Sequence, residues 1–198
     1  IQGGLGNNTF VFEDDGYFDG WIEGGTGAGK TDTLDYSAYR SAVTVDLWKM
    51  DFVETGFVNG VLTTNVNIGR ATGTTGINRI DTLVGGLSAD DTLLGFMSDN
   101  TWTITGENSG TVNGINFSGM ENLTGTADYN DAFILDGGSV TGTLSGNAHD
   151  RSPGTDTLDI QAGSFTNVVY RAYSNVGTAT VNLTGDATDQ ERWKVTLT

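Results

Sequence analysis

GGTGAGKTDTLDY, residues 24–36, is the stretch whose reading decides the fold. GGTGAGKT fits the phosphate-loop pattern G-x-x-x-x-G-K-[ST] letter for letter. That loop works only between a buried strand and a helix whose amide groups meet the phosphates. Here the preceding DDGYFDGWIE is acidic and broken by glycine, and Asp32 and Asp35 follow at once. The strand-like VTVD of residues 43–46 leaves no room for the helix, and no βαβ alternation follows. The second reading is a glycine corner leading into a strand, DTLDY, as one turn of a repeating β-solenoid.

The rest of the chain supports the second reading, because the frame recurs. GGLGNNTF (3–10), GGTGAGKTDTL (24–34), GGLSADDTL (85–93), TGTADYNDAF (124–133) and SGNAHDRSPGTDTL (145–158) share one order. A glycine-rich turn comes first, then Asp or Asn, one residue, and a large apolar residue. The acidic or amide positions are Asn8, Asp32, Asp91, Asp131 and Asp156, separated by 24, 59, 40 and 25 residues. These are near multiples of a unit of about twenty-odd residues, a solenoid period. A longer duplication maps Phe10 onto Phe133 and Leu34 onto Leu158.

Between the turns, apolar residues alternate with polar ones, as in half-buried strands. Val43, Val45 and Leu47 form one such set, followed by Val66 and Ile68, Trp102 and Ile104, Val181 and Leu183, and Trp193, Val195 and Leu197. Strands this short need coils above and below them to bury their apolar face. The expected fold is therefore all-β, a right-handed parallel β-helix of about eight to ten coils, forming a single domain over residues 1–198. WKMDFVETGFVNGV (48–61) is the least regular part, expected to cap or decorate the coils.

Composition sets the boundaries. Thirty glycines, one proline and few helix formers favour short strands and tight turns. A net charge of −16 disfavours nucleic acid and anionic membrane as partners. The same charge suits either solubility or the collection of divalent cations. Without cysteine there are no disulfides or thiolate metal sites, and no apolar run is long enough to span a membrane. Residue 1 is Ile, and the expectation is a processed form or a piece of something longer.

GGLGNNTFV (3–11) fits the nonapeptide G-G-x-G-x-D-x-U-x, with Asn8 in the Asp place. GGTGAGKTDTL carries a two-residue insertion before Asp32, and GGLSADDTL has Ser88 for the third glycine and one extra residue before Asp91. These turns resemble the hemolysin-type (RTX) calcium repeats. TDTLDYSAY with AVTVDL, IDTLVGG and MENLTGT are similar to repeats of giant, filamentous-haemagglutinin-like bacterial exoproteins.

The resemblance implies an extracellular module at the bacterial cell surface, structural or adhesive. It implies Ca²⁺ as a ligand of Asn8, Asp32, Asp91, Asp131 and Asp156. It also implies partners that are further repeats, copies of the chain stacked end to end, or surface glycans. In tandem RTX turns two neighbours share each ion, whereas here each turn stands alone. Stacking is expected to set Asn8 beside Asp32 and Asp131 beside Asp156. The alternative for all five positions is that Asp and Asn accept backbone amide bonds in tight turns.

Catalysis has less support. His149, the only histidine, is expected in a surface loop. Asp14 with Asp15, Asp90 with Asp91, and Glu13 with Asp19 are the carboxylate pairs available for glycoside hydrolysis. Adjacent carboxylates are common in so acidic a chain. The aromatics Trp21, Tyr36, Tyr39, Trp48, Tyr170, Tyr173 and Trp193 suit sugar stacking, but suit stacking between coils better. Asn7, Asn116, Asn122 and Asn182 sit in N-x-[ST] sequons that arise easily by chance in this composition.

Overall fold

The computed structural model describes residues 1–48, 50, 69–149 and 154–161 in full, and 53–58, 61–66, 162–174, 177–187 and 193–197 by backbone path. The chain is all-β, with no α-helix among the described residues. In chain order the strands are β1 (Asn8–Val11), β2 (Phe18–Glu23), β3 (Asp32–Asp35), β4 (Thr44–Asp46), β5 (Val53–Val58), β6 (Val61–Val66), β7 (Gly69–Ala71), β8 (Thr74–Asn78), β9 (Thr82–Val84) and β10 (Thr92–Leu94). They continue as β11 (Asn100–Gly106), β12 (Ser109–Val112), β13 (Ile115–Ser118), β14 (Asn122–Thr124), β15 (Asp131–Asp136), β16 (Thr143–Asn147), β17 (Asp156–Ser174), β18 (Gly177–Ala187) and β19 (Trp193–Leu197).

Seventeen strands form one mixed sheet that runs as two ladders. The first pairs β1, β3, β9 and β13 in parallel. It passes antiparallel through β12 to β11, then parallel through β15 to β17. The second pairs β2 with β8 in parallel and turns antiparallel through β7 to β4. From there it runs parallel through β10, β14 and β16 to the later half of β17. Both ladders finish antiparallel, with β19 on the first half of β17 and β18 on the second.

The recurring glycine–Asp frame places the strand starts. β1, β3, β15 and β17 each begin on the Asn or Asp singled out by the repeats, and β10 begins just after Asp91. The apolar residue two places on then points inward. Register stacks these residues coil on coil: Phe10, Leu34, Leu83 and Phe117 in the first ladder, and Val45, Leu93, Leu123 and Leu144 in the second. Trp102 lies on Phe133, ring centroids 5.6 Å apart and nearly parallel, and Phe133 on Leu158. The duplication is thus visible in space, since Phe10–Leu34 and Phe133–Leu158 are equivalent neighbours in two parallel pairs. Val43, Val45, Leu47, Trp102 and Ile104, inward by alternation, are all fully buried.

Pairing is not uniformly parallel. Asn113 and Gly114, both at positive φ (46° and 92°), make the tight turn that sends β13 back along β12. Asn-Gly with two left-handed residues is the turn that fits the twist of an antiparallel hairpin. A turn through Gly73, at φ 77°, does the same between β7 and β8. The irregular segment at 48–61 divides. Met50 is buried, Trp48 is half exposed, and β5 with β6 forms a separate two-stranded antiparallel sheet. Phe52 lies outside the described residues, as do the side chains of Phe57, Val66, Val181, Leu183, Trp193, Val195 and Leu197.

Leu83 sits at the centre of the first ladder, with Leu34 on one side and Phe117 on the other. Leu83→Ala is expected to lower the unfolding free energy by about 2–5 kcal/mol, read from urea denaturation. A loss below about 0.5 kcal/mol would show that this ladder is not packed as described.

Candidate functional site

The residues predicted as a site come together as buried columns of carboxylates and amides at the glycine corners. Asn8 lies against Asp32 in the β1–β3 register. The Asp32 carboxylate accepts the Asn8 backbone N–H at 2.9 Å and its side-chain Nδ2 at 2.7 Å. Asp32 in turn donates its own N–H to Asp81 Oδ2 at 2.7 Å. A second column runs Asn100, Asp131, Asp156. Asn100 Nδ2 donates to Asp131 Oδ1 at 2.8 Å, and the Asp131 N–H donates to Asp156 Oδ1 at 3.0 Å. Asp91 stands apart from both, in the second ladder. Its carboxylate accepts N–H bonds from Val43 and Gly86, while its own N–H donates to Glu121 Oε2 at 2.9 Å.

One rule covers these contacts. Each carboxylate accepts an N–H from the chain alongside, a backbone one at Asp32, Asp91 and Asp156 and the Asn100 side-chain amide at Asp131, and Asp91 and Asp131 also accept one from their own glycine corner, Gly86 and Thr126 respectively. The glycines follow from this. A Cβ on Gly125 would overlap the Asp131 carboxylate, and one on Gly146 would overlap that of Asp156. At these two positions glycine is required by the carboxylate folded back into the corner, since neither has positive φ. Positive φ occurs in three of the corners, at Gly25 and Gly29, at Asp128 and at Asn147.

Both columns are headed by an amide. Asn8 and Asn100 donate to the carboxylate beneath, which a further Asp could not do. His149 lies at the other end of the second column. It is only 4% exposed, not on the surface as its polar surroundings in sequence suggested, and its Nε2 is 3.2 Å from Asp156 Oδ1. The two atoms are misaligned for a hydrogen bond, and Asp156 Oδ2 has no protein partner among the described residues.

Burial disfavours the charged form of four of these carboxylates. Asp131 is pushed up to about 8, chiefly by desolvation, with the Asn100 and Thr126 bonds pulling it down and the nearby Asp156 charge pushing it further up. Asp156 is raised by burial against the N–H of Asp131 and the His149 imidazole. Asp91 and Glu121 are raised by burial too, against the backbone N–H bonds they accept.

A calcium site needs six or more oxygen ligands. Among the described residues no three Asp, Glu or His groups converge on one point. The oxygens of Asp91 and Asp131 already face N–H donors. The hydrogen bonds they make are those of turn caps. Asn100, Asp81 and His149 belong to the two columns and Glu121 to the Asp91 contact, and none of the four was singled out by the repeats. Asn100-Thr-Trp102 and Asp81-Thr-Leu83 carry the Asp/Asn-x-apolar signal without the paired glycines in front. Glu121-Asn-Leu123, within MENLTGT, has the same spacing with Glu in the Asp place, and His149 carries no local signal.

The other candidates disperse. Asp14 faces Arg40 at 3.7 Å, and Asp90 is exposed beside the buried Asp91. Tyr36 and Tyr39 are core residues, with the Tyr36 ring stacked on Phe12 and its hydroxyl donating to Thr72 O. Trp21 and Trp48 are half exposed, and the side chains of Tyr170, Tyr173 and Trp193 lie outside the described residues. The phosphate-loop look-alike opens into β3, a strand, and Lys30 lines an open depression of ≈ 390 Å³ with Arg79, Asp32 and Asp81. No protein-family model, curated protein or solved structure matches the chain.

The buried column makes a signed prediction. Folded Asp131 holds its proton up to about pH 8, whereas the unfolded chain releases it near 3.8. The stability it contributes is full below pH 3.8 and lost as pH rises through about 8. Thermal melts are expected to show a higher Tm at pH 5 than at pH 8, with Asp131→Asn flattening that dependence. Asn100→Asp is expected to destabilise the fold at pH 8 and to recover on acidification. A Tm that falls from pH 8 to pH 5 in the native chain would overturn the assignment.

Proposed function

We propose that this chain is a structural module of an extracellular bacterial surface protein or fibre, built as a right-handed parallel β-helix. The observation that carries this is the in-register stacking of coils. The same apolar residues recur inward along two parallel ladders, and the same capped corner recurs beside them. A stack held by repeated nearest-neighbour contacts is a spacer whose length grows with coil number. The strongly acidic surface keeps such a stack soluble and unaggregated. No convergent set of catalytic groups among the described residues argues for an enzyme.

The corner carboxylates act as caps in this reading, and Ca²⁺ at Asn8, Asp32, Asp91, Asp131 and Asp156 is the alternative. A glycan-binding β-helix is the competing class, favoured by the half-exposed Trp21 (46%) and Trp48 (41%). The spacer's partners are neighbouring repeats or copies of itself.

Melting with millimolar Ca²⁺ and with chelator separates cap from calcium site. The cap reading expects coincident curves. A ligand at 100 times its Kd would stabilise the fold by about 2.7 kcal/mol, and a shift of that size would restore the calcium reading. Retention on a panel of immobilised glycans, lost in Trp21→Ala, would replace the spacer reading by the glycan-binding one.

A further inference from the structure

We propose that Asn113 is a modification site, where the side-chain amide converts spontaneously to an acid through the nitrogen of Gly114. The folded hairpin of β12 and β13 holds the conversion off, and opening of the hairpin sets it going. Because the conversion is one-way, the site records how often this part of the stack comes apart.

The reacting groups are neighbours in the chain. Asn113 and Gly114 are the two residues of the turn between β12 and β13, and both are exposed. Glycine has no side chain to shield its nitrogen, and a Cβ added at Gly114 would meet nothing within 4 Å. The step needs only water as co-reactant. The Gly114 nitrogen attacks Asn113 Cγ and a C–N bond forms. The bond from Cγ to the side-chain nitrogen breaks, and that nitrogen leaves as ammonia with the proton from the Gly114 N–H. Water then opens the cyclic imide at either carbonyl. One opening gives aspartate, and the other gives isoaspartate, with the backbone routed through the side chain.

The fold holds these groups apart. The Asn113 carboxamide is turned toward the start of β11 and bonded at both of its ends. Thr101 N–H donates to Asn113 Oδ1 at 2.9 Å, while Asn113 Nδ2 donates to Asp99 O at 3.0 Å and to Asn100 Oδ1 at 3.3 Å. The Asn113 backbone N–H donates to Thr101 O at 3.2 Å. Ring closure requires the carboxamide to leave all three partners and swing back onto the Gly114 nitrogen. It also requires rotation about the Asn113 Cα–C bond, which the pairing of Val112 with Ile115 across the turn opposes. The reactive geometry therefore belongs to the opened hairpin, and its rate follows the population of that open form.

Neither product fits the place the amide leaves. Aspartate sets an acceptor where Nδ2 donated, facing the Asp99 carbonyl and Asn100 Oδ1. Asn100 heads the second column through its bond to Asp131, so the misfit falls on the residue that aligns that column. Isoaspartate adds a backbone carbon to a two-residue turn whose shape depends on two left-handed residues, φ 46° and 92°. The consequence is not confined to the turn. β12 and β13 join the first ladder between β11 and β9, so a hairpin that no longer closes parts the ladder within the stack.

Peptide mapping by mass spectrometry of the full chain tests this, with native and urea-unfolded samples held at pH 8 and one temperature. The unfolded chain is expected to convert Asn113, along with Asn59 of the chain's other Asn-Gly pair. The native chain is expected to convert Asn113 more slowly by about tenfold or more. Leu83→Ala, still folded by circular dichroism, loosens the strand beside β13 and is expected to speed the native conversion by raising the open population. Urea below the unfolding midpoint is expected to do the same. Asn113→Asp is expected to lower the Tm by about 2 °C or more. An Asn113 that stays an amide in the unfolded chain overturns the site. Equal rates in the native and unfolded chains overturn the protection, as does a native rate that neither Leu83→Ala nor dilute urea changes. An Asn113→Asp chain that melts with the native one overturns the effect on the column.

Discussion

The structure depends on one repeated contact: a carboxylate folded back into a glycine corner, accepting an N–H from the chain paired alongside. Where Asp131 also binds Thr126 N–H, the same side chain closes its own turn and ties it to the next. This contact fixes the sequence frame. Glycine must stand where the carboxylate folds back, and the strand must begin at the Asp. An apolar residue two places on must then face inward. Register follows, because a one-residue slip would turn every apolar side chain outward and break the cap bond as well.

The contact has a cost that the columns manage. A carboxylate taken out of water resists ionisation, and the raised Asp131, Asp156, Asp91 and Glu121 record this, with a neighbouring carboxylate adding to it at Asp131, Asp91 and Glu121. An amide heads each column and donates downward. An imidazole stands beside the last carboxylate, Asp156, so the end of that column faces a group able to carry positive charge. Backbone N–H groups supply the remaining bonds. Buried polar chains of this kind specify one register, since each partner is lost if the coils shift.

Legibility in the sequence followed how local each signal was. Asn8, Asp32, Asp131 and Asp156 were found because their whole frame lies within a dozen residues. The frame also forecast which would be neighbours, Asn8 with Asp32 and Asp131 with Asp156. Asn100 and Asp81 have the strand half of the frame without the paired glycines, and a search keyed to glycine passes over them. Glu121 lies beside Asp91 in the second ladder, through a contact 30 residues away in the chain. His149 sits among polar residues that suggest a surface loop, and only packing against Asp156 buries it. The antiparallel detour at Asn113–Gly114 had its signal in the Asn-Gly pair, but the regular spacing around it read as one more coil corner.

By itself the sequence determined the local units: all-β composition, the glycine–Asp corner, the inward apolar residue, and the absence of thiol chemistry. These rest on backbone freedom, side-chain size and alternation, which act over a few residues. The tertiary structure decided which strands pair in parallel and which reverse, and what the Asp oxygens bind. Those are settled by which coils come into contact. In three dimensions the Asp32, Asp91 and Asp131 carboxylates accept N–H groups from the chain alongside, a contact no linear pattern shows.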